Sequence, residues 1–364
     1  MSRRAACAVV LALALSSPAR AEPSVTVLPL GFKVAEFRGP TSQEAKILPT
    51  TDEMRRHKLG DSPLVVVWGE TGAAAIALVG AELRIQPFAP PRDEGPALGE
   101  APRDALPGSR VGSAGPLRVH LAGPTKAYVH GALGTDGEAR TVVVAERQPL
   151  VMSGAVQKVP VARTLVDAGP DAVFEDREPR IADLDKDAGT AVLVVKSYLA
   201  TGSALAVIGK RDGTWRIVAE TPPVGEPQRW LNPAAVAAFA GHGIPEIALV
   251  KTPHLDGVLQ VWRLEGDKLV LRHEAAGYSN HVFGSATQEL AAAVDIDGDG
   301  TPELAVPSLD RAAVAFLSLK GGIKEVRRVP LPAKAATGVA ALGSGKAAHV
   351  LVGLEDGRVV DVRP

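Results

Sequence analysis

A short turn followed by a valine-rich run recurs along the chain. The turns are centred on residues 137, 188, 243, 300 and 345, so successive intervals are 51, 55, 57 and 45 residues. Such a period is too long for a single hairpin and suits a unit of about four short strands. The recurrence therefore predicts an array of similar small sheets.

Each unit contains short apolar or alternating segments separated by Gly, Asp and Pro. Residues 179–220 include PRIAD, TAVLVVKSY, SALAVIGK and TWRIVAE, and residues 233–274 repeat this content as PAAVAAF, PEIALVKT, GVLQVWRL and KLVLRHE. Runs of this length and composition are strand signals. Because only residues 51–58, TDEMRRHK, favour a short helix, the sequence predicts an all-β fold.

The two ends of the chain complement each other in this array. The last unit has three strand segments, VAALGSG, AAHVLVGL and RVVDVRP, and residues 24–30, SVTVLPL, form an isolated strand segment near the start. Pairing that segment with the last unit would close a ring and remove its exposed edges. We therefore expect a β-propeller of six blades, or of seven if residues 31–58 form another blade.

One interval of the array is too long. Residues 60 and 137 hold equivalent turns but are 77 residues apart, about 25 more than the usual period. The excess falls in residues 87–118, which are rich in Pro, Gly and Ala. Such a composition disfavours strands and is typical of flexible surface segments, so we expect an insertion loop there.

Residues 292–306, AAVDIDGDGTPELAV, concentrate negative charge between two apolar runs. Asp295, Asp297 and Asp299 stand at alternate positions and are followed by Gly300 and Glu303. Two carboxylates about 4 Å apart repel by roughly 4 kcal/mol at an effective dielectric near 20. Ca²⁺ removes that cost and prefers oxygen ligands spaced in this way. The alternative is a plain Asp-Gly turn without metal.

The segment DIDGDGTPELAV resembles the FG-GAP repeat of integrin alpha-chain β-propellers and the VCBS-type repeats of exported bacterial proteins. In that family each repeat forms one blade, and the loop between its first two strands binds Ca²⁺. The resemblance implies five ligands: Asp295, Asp297, Asp299, the backbone carbonyl of Thr301, and Glu303. The family more often ends this loop with Asp, so Glu303 departs from the pattern. The resemblance is firmest over residues 180–330 and brings no activity with it.

A second acidic loop precedes this one. Asp183, Asp185 and Asp187 are again at alternate positions, but Ala188 and Ala191 replace the turn glycine and the final carboxylate. This pattern indicates either a weaker, degenerate Ca²⁺ site or a turn that has lost its metal. The corresponding residues 238–246 have lost all three aspartates, so we expect no metal there.

The N-terminus has the pattern of a secretory signal. Arg3 and Arg4 precede the apolar residues 5–15, and residues 19–21, ARA, suit cleavage, which predicts a signal peptide at 1–21 and a propeller domain at 22–364. The protein is therefore expected in the periplasm or outside the cell, exported by the general or the twin-arginine route. No later segment approaches twenty apolar residues, so no membrane span is expected.

The composition of the chain argues against several kinds of catalytic, metal and nucleic-acid site. The only cysteine, Cys7, lies in the predicted signal, so thiol catalysis and cysteine-ligated zinc are excluded from the mature chain. Removal of three signal arginines leaves 37 Lys and Arg against 41 Asp and Glu, which gives no basic footprint for nucleic acid. No H-E-x-x-H, G-x-S-x-G or Walker motif is present.

Several aromatic and polar residues flank the strands of one repeat and are candidates for a ligand surface. They are Arg229, Trp230, His254, Tyr278, Asn280 and His281. This surface could bind an anionic or carbohydrate-like ligand, and the module as a whole a protein or carbohydrate ligand, although Trp230 and Tyr278 could instead cap the core between blades. The sequence thus favours a calcium-stabilised binding module. The alternatives are a sugar lyase or hydrolase that uses the central channel and a structural component of the envelope.

These alternatives make different predictions. An enzyme predicts titratable groups clustered at the mouth of the channel, with perturbed pKa values beside a pocket. A binding module predicts an exposed apolar or aromatic patch. A structural component predicts neither feature.

Overall fold

The computed structural model describes residues 23–48, 52, 62–89, 102–134, 137–149, 159–185 and 189–364. The predicted signal peptide and most of the predicted helix at residues 51–58 lie outside these ranges. The regular secondary structure of the described residues is almost entirely antiparallel β-sheet, which confirms the predicted all-β class. No helix within these ranges is long and apolar enough to span a membrane.

In the described ranges the strands group into six four-stranded meanders, which we call blades 1 to 6. Blade 1 contains β2 (Glu36–Arg38), β3 (Leu64–Gly69), β4 (Gly72–Val79) and β5 (Glu82–Phe88). Blade 2 contains β6 (Gly112–Ala114), β7 (Leu117–Thr125), β8 (Glu138–Arg147) and β9 (Val161–Asp167). Blade 3 contains β11 (Arg180–Asp185), β12 (Gly189–Tyr198), β13 (Gly202–Arg211) and β14 (Thr214–Glu220).

The remaining blades follow the same plan. Blade 4 contains β15 (Leu231–Ala237), β16 (Glu246–Lys251), β17 (Val258–Glu265) and β18 (Lys268–Ala276). Blade 5 contains β19 (Ala292–Val294), β20 (Glu303–Pro307), β21 (Ala313–Ser318) and β22 (Lys324–Pro330). Blade 6 contains β23 (Ala335–Leu342), β24 (His349–Leu354), β25 (Val359–Arg363) and the N-terminal β1 (Ser24–Val27). One further strand, β10 (Ala172–Phe174), bridges β8 and β12 and joins blades 2 and 3.

The N-terminal strand closes the ring as the sequence predicted. Ser24 pairs with Arg363 and Val27 with Val360, so β1 covers the outer edge of β25. An exposed edge strand would invite pairing with another chain, and this closure removes one. The predicted count of six blades, with seven as the alternative, stays a prediction for the whole chain because residues 49–51 and 53–61 are outside the described ranges.

The cores lie between neighbouring blades. Separate clusters of buried aliphatic side chains join blades 2 and 3, 3 and 4, 4 and 5, 5 and 6, and 6 and 1. Helix α1 (Gln43–Ile47), capped by the Ser42 hydroxyl, packs on blade 1, and Arg110 beside blade 2 pairs with Glu36 of β2. This cyclic succession of packed blades is the architecture of a β-propeller.

The innermost strands of neighbouring blades run in the same direction. Near the start of β15, the Asn232 amide donates to the Gln288 carbonyl ahead of β19. Beyond the end of β15, Gly241 lies against Thr301 beyond the end of β19. The loops before the inner strands and those after them therefore occupy opposite ends of the ring.

The prediction of a strand-free insertion at residues 87–118 is wrong at both ends of the segment, whereas residues 102–111 contain no strand. Residues 87 and 88 end β5, residues 112–114 form β6, and β7 begins at Leu117. A Cβ at Gly112 would lie 2.4 Å from the Pro179 carbonyl oxygen, so glycine is what allows this inner strand to approach blade 3. Residues 90–101 lie outside the described residues.

Candidate binding cavity and metal loop

The acidic loop of blade 5 connects its first two strands, β19 and β20. One carboxylate oxygen from each of Asp295, Asp297 and Glu303 lies within 4.8 Å of the others. Asp297 is exposed, whereas Glu303 is 5% exposed at the first position of β20. The strand ends therefore bring three of the four predicted carboxylates to one point.

Backbone amides of the loop fix two of these side chains. Asp295 accepts hydrogen bonds from the amides of Gly298 and Gly300 at 2.6 and 3.0 Å. Both glycines have positive φ, 80° and 84°, a conformation that glycine adopts without the cost of a side chain. Glu303 Oε2 accepts from the Ile296 amide at 3.0 Å. The Gly-rich sequence thus folds the loop around its own carboxylates.

The remaining predicted ligands are arranged differently. Asp299 accepts from the Thr301 amide at 2.7 Å and lies 3.8 Å from Lys320 Nζ, outside the group of three carboxylates. The hydrogen bond from the Thr301 amide is the main cause that lowers the pKa of Asp299. Thr301 itself is buried beside Gly241. The described arrangement therefore assembles part of the ligand set that the resemblance implies.

The electrostatics of Glu303 fit a cation at this point. Burial raises the pKa of its carboxyl, and the neighbouring carboxylates of Asp297, Asp299 and Asp295 raise it further. A carboxylate in such surroundings is stabilised by a nearby positive charge. The three converging oxygen donors are also of the type that Ca²⁺ prefers.

Blade 4 offers an internal comparison. Glu246 pairs with Ala237 in the same register as Glu303 pairs with Val294, and it is 2% exposed. There, the guanidinium of Arg263 donates to Glu246 at 2.6 Å. The position that corresponds to Arg263 in blade 5 is Ser318, by the pairing of β16 with β17 and of β20 with β21. Blade 4 thus supplies its own cation, and blade 5 has a hydroxyl instead.

The second acidic loop shows less convergence. Asp183 is exposed and accepts from the Thr190 hydroxyl at 2.9 Å. Asp185 ends β11, but its side chain and residues 186–188, including Asp187, lie outside what the structure describes. The predicted degenerate calcium site at this loop stays a prediction.

A cavity of about 400 Å³ opens at the opposite end of the ring. Four loop segments, from blades 2 to 5, build it, and its lining is mainly aromatic and apolar. The lining residues are His130, Gln228, Arg229, Trp230, Thr252, His254, Leu255 and Phe283. Phe283 and Leu255 are 58% and 54% exposed, which makes them the apolar rim of the cavity. Small-molecule and peptide sites are commonly concave and apolar in this way.

The aromatic side chains of the cavity contact one another. Trp230 is buried, lies parallel to His254 with ring centroids 6.2 Å apart, and meets His281 edge-on at 4.6 Å. Phe283 stands edge-on to both His254 and His130, at 5.2 and 6.0 Å. Trp230 Nε1 also donates to the Glu175 carbonyl at 3.1 Å, so the buried indole holds the cavity floor in place.

Two of the four non-glycine residues with positive φ in the described ranges line this cavity. Gln228 and Thr252 have φ values of 55° and 49°, and both line the cavity. A β-branched residue with positive φ is a conformational outlier that the surrounding structure must enforce. The Gln228 amide donates to the Tyr128 hydroxyl at 2.6 Å, and its side chain donates to the Val129 carbonyl. Such enforced conformations cluster at binding and catalytic sites.

The structure gathers only part of the predicted ligand surface. Arg229, Trp230 and His254 line the cavity, and His281 supports His254 from below with a 2.8 Å contact. Tyr278 is buried in the core between blades 4 and 5, and the Asn280 side chain donates to the carbonyls of Asn232 and Pro233. These two residues are therefore structural.

Five of the eight lining residues are not in the predicted ligand surface: His130, Gln228, Thr252, Leu255 and Phe283. His130, Leu255 and Phe283 come from loops of blade 2, of blade 4 and between blades 4 and 5. An isolated Phe or His in a loop carries no spacing signal, so only the ring closure reveals their proximity. The exposed Phe at position 283, in a chain with 4% aromatic residues, was the available hint.

The central channel holds a network of ion pairs beside a smaller cavity of about 190 Å³. Arg38 contacts Glu44, Glu178 and Glu289 at 3.1, 2.5 and 3.0 Å. Burial lowers the pKa of Arg38, but these three carboxylates outweigh burial and raise it. Burial raises the pKa of Glu178. Each of these carboxylates is engaged by a guanidinium, so the network ties the start of helix α1 to blades 3 and 5.

Comparison with known proteins gives no family assignment. No family model matches the chain, and no curated protein sequence matches it. Solved structures match it at low identity. They include the N-terminal domain of Nup159, with 11% identity, a TM-score of 0.38 and coverage of 82% of this chain and 72% of that chain.

Two further matches are similar in quality. A chain of the S. cerevisiae complex of Dbp5 with Nup159, Gle1, IP6 and ADP has 12% identity, a TM-score of 0.37 and coverage of 83% of this chain and 74% of that one. A chain of the Photorhabdus luminescens Tc holotoxin pore has 9% identity and a TM-score of 0.41, with 93% of this chain against 14% of that one. These similarities are too distant to bear on function, and the propeller fold of this chain rests on its own strand pairing.

Proposed function

We propose that this protein is an interaction module that binds a protein or carbohydrate ligand in the cavity lined by His130, Trp230, His254, Leu255 and Phe283. The observation that carries the proposal is this concave site of about 400 Å³ with an exposed aromatic and aliphatic rim. Exposed Phe and Leu side chains around a cavity are typical of binding surfaces.

The central channel does not favour the enzyme alternative. Perturbed pKa values do occur there, at Arg38 and Glu178, as an enzyme would predict. Arg38 and Glu178 nevertheless form a salt bridge with each other, and Arg38 forms two more with Glu44 and Glu289. Structural ion-pair networks perturb pKa values in the same way as active sites do. The cavity at the ring end therefore supports binding better than the channel supports catalysis.

We also propose that Asp295, Asp297 and Glu303 hold a Ca²⁺ ion that braces the first hairpin of blade 5, in the manner of FG-GAP and VCBS repeats. Support comes from the convergence of the three carboxylates and from blade 4, where Arg263 occupies the equivalent place beside Glu246. The ion would neutralise a partly buried carboxylate at the end of the ring opposite the cavity. Its role would be structural.

The proposed location is the periplasm or the cell exterior. This part of the proposal rests on the sequence of residues 1–21 alone. Mass spectrometry of the protein purified from its native cells should find Glu22 as the first residue. A chain that retains Met1 or the apolar residues 5–15 would contradict export with cleavage.

The binding proposal is tested by affinity capture from an envelope extract of the source cells. Leu255→Asp and Phe283→Asp place a charge on the cavity rim, and Leu165→Asp is the matched control because Leu165 is 67% exposed on β9, away from the cavity. We expect both rim variants, but not the control, to lose a partner that the wild-type protein retains. Equal capture by all four proteins would refute binding at this cavity.

A further inference from the structure

We propose that the cavity binds an aromatic ring that carries a hydrogen-bond donor, the chemistry of a tyrosine side chain, with His254 Nδ1 as the acceptor. This inference rests on the proposed function, because it names the ligand chemistry of the same cavity. Hydrogen bonds fix the tautomers of two histidines, His254 in the cavity lining and His281 behind it.

The hydrogen bonds of His281 fix its tautomer. Its Nε2 lies 2.9 Å from the carbonyl oxygen of Ser285, and a carbonyl can only accept, so His281 Nε2 carries a proton. Its Nδ1 lies 2.8 Å from His254 Nε2. In neutral His281 that Nδ1 is an acceptor, so His254 Nε2 must donate to it.

The tautomer of His254 follows from that of His281. A neutral imidazole carries one proton, so a donating Nε2 leaves Nδ1 with a free lone pair. The His254 side chain lines the cavity, and its Nδ1 has no partner among the described residues. The series of hydrogen bonds from the Ser285 carbonyl through His281 therefore leaves His254 Nδ1 as an acceptor for a ligand in the cavity.

The surroundings keep both imidazoles neutral. Burial lowers the pKa of His281 to about 3 and that of His254 to about 4. The charged and titratable groups around His254 are His281, His130, Arg311 and, in the same cavity lining, Arg229, and none of them is an anion that would favour its protonation. The acceptor is therefore present at neutral pH.

The rest of the cavity selects an apolar body for the ligand. The Phe283 ring lies edge-on between the imidazoles of His254 and His130, and Leu255 extends the apolar rim. His130 Nδ1 donates to the Glu175 carboxylate at 2.7 Å, which fixes the imidazole in the wall of the cavity. Phenol and indole side chains combine an apolar ring with one polar hydrogen, which matches this lining.

Other ligand classes fit less well. Arg229 is the only guanidinium among the described lining residues, and it already lies 3.2 Å from the Glu226 carboxylate, so an anion would have to compete with Glu226 for it. A ring without a donor would fill the apolar volume but would leave His254 Nδ1 without a partner. Leaving a desolvated acceptor unpaired costs binding free energy.

The test compares two probes that differ by one hydroxyl group. N-acetyl-L-tyrosinamide and N-acetyl-L-phenylalaninamide are titrated against the whole protein, with binding followed by ligand-observed NMR. We expect the tyrosine probe to bind about three- to tenfold more tightly, the usual worth of one hydrogen bond. His254→Leu should abolish this preference, whereas His254→Asn, whose amide oxygen can occupy the place of Nδ1, should retain part of it.

A pH titration of the wild-type protein gives a second readout that needs no variant. Protonation of His254 removes its acceptor, so the preference for the tyrosine probe should vanish as the pH falls through about 4. Equal affinity for the two probes, or a preference that persists in a folded His254→Leu variant, would overturn the inference while leaving binding at the cavity intact. Failure of both probes to bind would also overturn it, and the capture experiment would then decide the proposed function separately.

Discussion

Asp297→Asn should have opposite effects on stability with and without calcium. The substitution removes one charge but keeps an oxygen that can accept the hydrogen bond from the Asp299 amide, 3.1 Å away in the wild type. The carboxylates of Asp295, Asp297 and Glu303 approach within 4.8 Å. Two charges at that distance repel by roughly 3 kcal/mol at an effective dielectric near 20.

Solvent reduces this repulsion, because the Asp297 side chain is exposed. A discount to about 1 kcal/mol is appropriate for a surface charge. Without metal, the variant should therefore be more stable than the wild type by about 1 kcal/mol. With calcium at 100 times its dissociation constant, the wild type should gain about 2.7 kcal/mol. For a chain of this size that gain corresponds to an increase in Tm of roughly 4 °C, most of which the variant should lack.

The assay is thermal unfolding followed by circular dichroism, in excess EDTA and in excess calcium. Asp167→Asn is the matched control, since Asp167 also accepts a hydrogen bond from the backbone of an exposed turn, at 2.7 Å from the Gly169 amide. The control should respond to calcium as the wild type does. If Asp297→Asn destabilises the protein equally in EDTA and in calcium, the loop is a plain turn and the metal proposal is wrong.

Three further predictions concern buried polar groups and the close approach of blades. Arg263→Met should lower the free energy of unfolding in urea by about 3–5 kcal/mol, because it leaves Glu246 buried without its cation. Adding Glu246→Gln to this variant should recover most of the loss. If it recovers none, Arg263 does not act by compensating the charge of Glu246. Burial raises the pKa of Glu138 to about 8, so its contribution to stability is fully present below pH 4.5 and is lost as the pH rises through about 8. In Glu138→Gln, the free energy of unfolding in urea should not show that loss between pH 6 and pH 9. If the variant loses as much stability as the wild type over this range, Glu138 is not the group responsible. Gly112→Ala should destabilise the protein by about 1–3 kcal/mol in calorimetry, because the alanine Cβ would lie 2.4 Å from the Pro179 carbonyl oxygen. An unchanged stability would mean that strand β6 moves away from Pro179 without cost.

The regular parts of the fold could be predicted because the local signals agree with the tertiary structure. In blades 3 and 4, valine-rich runs bounded by Gly and Asp became β12 and β16 with few shifts in position. The short inner strand β6 was missed because its glycine and proline neighbours are typical of loops. Its strand conformation depends on contact with blade 3, which no local pattern records.

The candidate sites divide in the same way. Asp295, Asp297 and Glu303 are close in sequence, so their convergence could be anticipated from spacing. The cavity depends on residues as distant as His130 and Phe283, which meet only because the ring brings their blades together. For Tyr278 the sequence left a ligand surface and a cap on the core as alternatives, and packing between blades 4 and 5 decides for the core.

The most direct test of the binding account is site-specific photocrosslinking in the native cells. The photoreactive residue p-benzoylphenylalanine is placed at residue 255, on the cavity rim, or at residue 165, which is equally accessible but lies on β9. The account predicts a discrete crosslinked partner from residue 255 that disappears when Phe283→Asp is added, and none from residue 165. The same partner from both positions, or no partner from residue 255, would contradict it.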